Sequence, residues 1–342
     1  MKAQNLIILL FTVKLLLSCS KSDDHSTPNQ DTQIYVAGHE INENAKNVAK
    51  VWKNGVATNL TDGTQNSHGS SVFVSGSDTY VAGWESNGTT NVAKVWKNGV
   101  ATSLTNGAMP AYAISLFVSG SDVYVAGHEL NDNANNVAKV WKNGIAADLT
   151  DGTQPAFVNS VFVSGSDVYV AGYEHNGTAN VAKVWKNGVA NSLTDGTQSA
   201  TATSVYVSGS DVYVTGMENN GTNNVAKVWK NGTASDLTDG TQPVFANSVF
   251  VLGNDVYVAG GELSGAYYVV KVWKNGAATN LTDGTQNATA NSVFVSGSDV
   301  YVAGYEFNGT TFVAKVWKNG TANHLTNGTQ YAYATSVFVS GM

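Results

Sequence analysis

Seven copies of Lys-Val-Trp-Lys-Asn-Gly run through this chain, with their tryptophans at Trp52, Trp96, Trp141, Trp185, Trp229, Trp273 and Trp317. Successive copies lie 44 or 45 residues apart. A fixed period of this size marks one supersecondary unit copied seven times, because a single unit cannot bury its own apolar face. The repeat extends from about Gln33 to Gly341. The 342 residues therefore read as one repeat domain, not the two domains that length alone would suggest.

One unit, Ser160 to Gln198, reads SVFVSGSDVYVAGYEHNGTANVAKVWKNGVANSLTDGTQ. Val, Tyr, Phe, Trp and Thr dominate four short pieces, as a pleated surface favours. The pattern predicts strand A over Ser160–Gly165, B over Asp167–Glu174, C over Asn180–Lys186 and D over Val189–Thr194. Asn-Gly between C and D, as in Asn187-Gly188, signals a two-residue type I′ hairpin. Units 1 and 3 carry one extra residue between B and C, in Asn42 to Asn47 and Asn131 to Asn136. Insertions collect in loops. With 35 glycines, 4 prolines and 13% charged residues, the composition suits short strands joined by tight turns.

Four antiparallel strands repeated seven times predict an all-β fold, a seven-bladed β-propeller. The repeat opens on a B-type piece, Ile34–Glu40, and closes on an A-type piece, Ser336–Gly341. The C-terminal piece would supply the missing first strand of blade 1, a three-plus-one closure that removes the open edge. A β-solenoid or an array of separate sheets is the alternative, and neither has a use for that offset.

The layout resembles kelch and WD-repeat propellers over the whole repeat, without either signature. Strand B ends in Ala-Gly or Thr-Gly, with Gly260-Gly261 the only doublet, and each repeated Trp precedes Lys, not Asp. It is more similar to uncharacterised propeller-repeat lipoproteins of bacteria, which implies a fold and a location but no ligand. Ahead of the repeat, Lys2 precedes an apolar stretch of twelve residues, Leu6 to Leu17. That is too short to span a bilayer but suits a signal-peptide core. Leu16-Leu17-Ser18-Cys19 resembles the lipobox of bacterial lipoproteins. The resemblance implies a signal peptide over 1–18, diacylation of Cys19 and a polar tether over 19–32, ahead of a propeller over 33–342. Lys21-Ser22-Asp23-Asp24 is similar to signals that send some Gram-negative lipoproteins to the outer face of the outer membrane, so a surface-exposed, lipid-anchored position is expected. Cys19 is the only cysteine, so no intrachain disulfide can form.

The formal net charge is −7, and loss of Lys2 and Lys14 with a signal peptide would make it −9. All 18 basic residues are lysine. Bidentate recognition of phosphate and guanine relies on arginine, so no nucleic-acid partner is expected. The membrane, through the lipid, is the expected partner of a monomeric propeller.

Most repeated residues read as scaffold. Glu40, Glu85, Glu129, Glu174, Glu218, Glu262 and Glu306 share one register after strand B. They could form a carboxylate ring for cations, or pair with loop backbone or with a lysine of a neighbouring blade. Seven like charges close together would repel one another, which favours pairing. The tryptophans share a strand face with the lysine two residues before them, so Trp is expected between blades with the Lys stem along it and its ammonium in water. One strand-A aromatic per unit (Phe73, Phe117, Phe162, Tyr206, Phe250, Phe294, Phe338) reads as core. Leu-Thr-Asp-Gly reads as turn chemistry and not calcium ligation, because the loop lacks alternating oxygen ligands and a distal glutamate. The Asn-Gly-Thr triplets read as turns.

Function is sought in residues that differ between copies. One register, before the repeated Glu, holds His39, Trp84, His128, Tyr173, Met217, Gly261 and Tyr305. Another, in the D–A connection, holds His68, Tyr112, Phe157, Thr201, Phe245, Thr289 and Tyr333. In a propeller these connections emerge on one face. Its rings, His39, Trp84, His128, Tyr173, Tyr305, His68, Tyr112, Phe157, Phe245 and Tyr333, are candidates either to stack a sugar or peptide or to plug gaps between blades. The histidines form no His-x-x-x-His set and accompany no nucleophile motif, so no catalytic residue, metal or cofactor is expected. The resulting expectation is a membrane-anchored, non-enzymatic binder of glycans or peptides. An assembly scaffold on the cell envelope and a polysaccharide hydrolase or lyase are the alternatives.

Overall fold

In all seven C–D hairpins both central residues take positive φ, as at Asn54 (50°) and Gly55 (80°). That is the type I′ geometry, whose twist matches the strands it joins. The computed structural model describes residues 32–341. The segments read as signal peptide and tether, with Cys19, lie outside the described residues apart from Thr32.

The strands assemble into seven four-stranded antiparallel sheets, each ordered A-B-C-D. In blade 4 these are Ala156–Ser164, Asp167–His175, Asn180–Lys186 and Val189–Ser192. Blade 1 is closed by the C-terminal strand. Ala332–Ser340 pairs with Gln33–Ile41, in a register that sets Tyr35 opposite Phe338 and Val36 opposite Val337. The A strands of adjacent blades touch one another, so they stand innermost around the axis. The D strands, such as Val189–Ser192, are exposed along their whole length and form the rim.

The core consists of the seams between blades. Trp185 is fully buried against Tyr124, Ala126 and Val140 of blade 3, together with Val158 and Val161 of its own blade. The lysine two residues before each Trp does not run out to water. Lys50 Nζ sits 2.7 Å from Glu40, and each of the other six repeated glutamates pairs in the same way. These pairs lie within one blade, across strands B and C, and not between neighbouring blades. They consume the carboxylates that a cation ring would need. The second lysine of each hexapeptide lies over the strand-B tyrosine, as Lys97 does 5.2 Å above Tyr80, and in blades 2 to 7 it also pairs with an aspartate, as Lys97 does with Asp78 at 2.7 Å. Asp62 Oδ1 accepts from the backbone N–H and the hydroxyl of Thr64, and those bonds hold its carboxyl below the usual range. This is turn chemistry.

Strand A begins earlier than the alternation predicts, at Ala156 and not Ser160. A β-bulge between Val158 and Ser160 inserts one residue and breaks the period-two pattern. The register placed in the D–A connection therefore lies inside strand A. It pairs directly with the variable register of strand B: His68 with Trp84, Tyr112 with His128, Phe157 with Tyr173 and Tyr333 with His39.

Candidate functional site

The bulge recurs at the same place in every blade and shapes the channel wall. Opposite it, strand B carries glycine without exception. A Cβ on Gly83 would overlap the carbonyl oxygen of His68, so the Ala-Gly ending of strand B is a close-approach requirement. The bulge residue reaches across to the next blade. Asn159 Nδ2 donates to the Ala202 carbonyl at 2.8 Å, and Thr203, Asn247, Asn291 and Thr335 donate to Ala246, Ala290, Ala334 and Gly69. Ser70 and Ile114 hold this position in blades 2 and 3.

One residue further along, a serine completes a full circle. Ser71, Ser115, Ser160, Ser204, Ser248, Ser292 and Ser336 each accept the backbone N–H of the next blade's strand A at 3.1–3.3 Å. The inner edge of strand A has no partner strand, and these serines satisfy its donors. Sequence reasoning missed them, although a Ser fixed two residues before each strand-A aromatic was the available signal.

Those aromatics form a second circle. Phe73, Phe117, Phe162, Tyr206, Phe250, Phe294 and Phe338 touch in order and close on themselves, with centroids 4.7–5.0 Å apart and planes inclined by 47–53°. One seventh of a turn is about 51°, so the ring planes run parallel to the axis. They are half-buried, not sealed in the core. A heptagon of this edge sets the centroids about 5.6 Å from the axis. Allowing about 1.7 Å for carbon, at most about 8 Å of width stays open.

The variable registers form a third belt, and it is lopsided. Tyr305, Tyr333, His39, His68, Trp84, Tyr112, His128, Phe157 and Tyr173 touch in unbroken succession across blades 7, 1, 2, 3 and 4. Thr201, Met217, Phe245, Gly261 and Thr289 fill the other side. Phe245 folds over Gly261 and meets Tyr268 at 5.3 Å. The structure thus brings nine of the ten candidate rings together and leaves Phe245 apart.

Within the arc, His39 and His68 lie 4.0 Å apart, and His39 stacks on Tyr333 at 4.8 Å. His39 is only 7% exposed. Burial, and then the neighbouring His68, pull its pKa down to about 3, while burial pulls His68 and His128 down to about 4. All three are neutral at physiological pH, and the Nδ1 atom of each is buried without a hydrogen-bond partner. His175 Nδ1 accepts the Gly177 N–H. Among the described residues no histidine side chain hydrogen-bonds a serine or threonine hydroxyl.

No family model matches the chain, and no curated protein matches it. Solved structures share the fold. A puromycin-hydrolysing peptidase of Mycobacterium tuberculosis superposes with a TM-score of 0.59 at 11% identity, over 86% of this chain and 51% of that one. This chain thus spans about half the length of that peptidase. Putative TolB from Agrobacterium tumefaciens gives 0.45 at 10% identity, over 91% and 99% of the two chains. Dipeptidyl peptidase 4 of Porphyromonas gingivalis gives 0.47 at 10% identity, over 85% and 50%.

The expectation of a glycan- or peptide-binding face is corrected by these findings, because the solved structures that share the fold include a puromycin-hydrolysing peptidase. The geometry agrees with the correction. Stacking needs bare ring faces, and His39, 7% exposed, is stacked on Tyr333 and tilted against His68.

Proposed function

We propose that this chain is the propeller half of a peptidase-type system of the bacterial envelope, held by a lipid on Cys19, which narrows the approach to a hydrolytic centre carried by a second polypeptide. The closed circle of seven strand-A aromatics carries the reading. Its opening, at most about 8 Å, is below the 10–12 Å of an α-helix, so folded polypeptide is turned away. The likeness to half of a peptidase supports the class of system. The lipobox-like Leu16-Leu17-Ser18-Cys19 supports the location.

The test has three arms. The purified chain should neither turn over fluorogenic aminoacyl amides nor react with a fluorophosphonate probe. Crosslinked in its own envelope, it should carry a fluorophosphonate-reactive hydrolase. Phe117→Ala with Phe294→Ala should let that complex cleave longer peptides. Turnover by the chain alone, or a length limit unmoved by the double variant, would refute the reading. Radiolabelled palmitate that fails to enter the protein through Cys19 would refute the anchor.

A further inference from the structure

The rim of the propeller departs from sevenfold sameness at a position that packing inside the fold does not fix. The residue after each C–D Asn-Gly is Val56, Val100, Ile145 and Val189 in blades 1 to 4, but Thr233, Ala277 and Thr321 in blades 5 to 7. The four aliphatic side chains are 67–77% exposed. They sit on four successive blades, at the end of the domain that carries the C–D hairpins. Single exposed aliphatics are ordinary, but four on successive blades, all at one end of the domain, give that end an apolar side.

The start of the fold indicates what covers it. Strand B of blade 1 begins at Gln33, beside the first of these four hairpins. Ile34 N–H donates to Asn54 Oδ1, Asn54 N–H donates to the Ile34 carbonyl, and Asn54 Nδ2 donates to Gln33 Oε1. The chain thus enters the domain on the aliphatic face, at blade 1. From Ser20 to Thr32 there are thirteen residues after Cys19, which span about 45 Å at full extension. Charge at the entry point also differs. In blades 2 to 7 the second hexapeptide lysine pairs with an aspartate. In blade 1 Gln33 stands in place of that aspartate, and Lys53 has no carboxylate partner among the described residues.

We infer that the C–D hairpin face of blades 1 to 4 lies on the surface of the bilayer that holds the lipid, with Val56, Val100, Ile145 and Val189 set shallowly among acyl chains and Lys53 against anionic headgroups. This rests on the lipid-anchor reading. The lipid fixes the protein to the membrane, and the four aliphatics fix its tilt, a second weak signal beside a covalent one. The opposite face, with the ring-lined mouth, then points away from the bilayer.

The test uses the full-length lipidated protein in phosphatidylethanolamine–phosphatidylglycerol vesicles. Cys19 is the only native cysteine and is acylated in this reading. Ile145→Cys and Thr321→Cys can therefore be labelled singly with a polarity-sensitive fluorophore. A nitroxide carried on the lipid should quench the label at 145 at least twofold more than at 321. Replacing Val56, Val100 and Val189 with Asn should erase the difference while the protein still floats with the vesicles. Equal quenching at both sites in protein that floats overturns the docking and spares the anchor. Protein that does not float overturns both. A label at 145 that is shielded from water but untouched by the lipid quencher assigns the face to a protein partner and also overturns the inference.

Discussion

Ser248→Ala tests the circle of serines that joins the blades. Ser248 Oγ accepts the Val293 N–H at 3.1 Å, across the seam between blades 6 and 7. Val293 is buried, and its N–H faces the inner edge of strand A, where no strand follows. The substitution leaves that donor against a methyl group. An orphaned buried donor costs about 1–3 kcal/mol. Unfolding entropy near 2.1 cal/mol/K per residue, summed over the domain, converts each kcal/mol into about 1.5 °C, so the melting temperature should fall by roughly 2–5 °C. Calorimetry and urea titration of Ser248→Ala and of Ser235→Ala would measure it. Ser235 lies on an exposed rim strand, where a surface change stays within about 0.5 kcal/mol. Ser292→Ala, at the seam between blade 7 and the closed blade 1, should match Ser248→Ala because its bond, 3.2 Å to Val337, is equivalent. If Ser248→Ala proves as mild as Ser235→Ala, the serines are not what satisfies the inner edge and the circle has no energetic meaning.

Deleting Ser336–Met342 removes the closing strand with Val337, Phe338 and Val339; at about 1.5–3 kcal/mol for each apolar side chain, the loss should exceed about 5 kcal/mol, and an unchanged melting curve would rule out the closure. Gly83→Ala forces a Cβ onto the His68 carbonyl and should cost at least about 3 kcal/mol or prevent folding, read by circular dichroism. The buried histidines predict a pH dependence. His39 and His68 have folded pKa values of about 3 and about 4, below the unfolded 6.5, so the unfolded chain binds more protons between those limits. Stability should therefore be full above pH 6.5 and fall as pH drops toward 4, by roughly 3 kcal/mol for His68 alone. His68→Phe, which keeps a ring in the arc, should flatten that slope in melting curves taken across the window; an equal slope would place the histidines in water.

The blade count, hairpins and closure were legible because each rests on a local signal repeated seven times: a β-rich run, an Asn-Gly pair, an offset at the ends. Strand A was legible only from Ser160 onward, since the bulge at Asn159 shifts the alternation by one and makes Ala156–Val158 read as connection. Pairings within a blade follow from the period, but those between blades join residues about one unit apart. Ser248 with Val293 and Phe250 with Phe294 carry no local mark. The glutamates were assigned correctly to pairing but to the wrong partner, because the Lys of the same blade, diagonal across strands B and C, is nearer than the next blade.

Residues that vary from blade to blade divide by burial, which the sequence does not display. His39 and Ile145 both break the repeat. One is 7% exposed, stacked on Tyr333 and tilted against His68; the other is 77% exposed at the rim. Variation of the first kind is constrained by its neighbours in the belt, since each ring must fit against those of the adjoining blade. Variation of the second kind is constrained by nothing inside the fold. A Thr serves at the same place in blades 5 and 7, so packing inside the fold does not require the aliphatics of blades 1 to 4. Their side of the rim is also the side on which the chain enters.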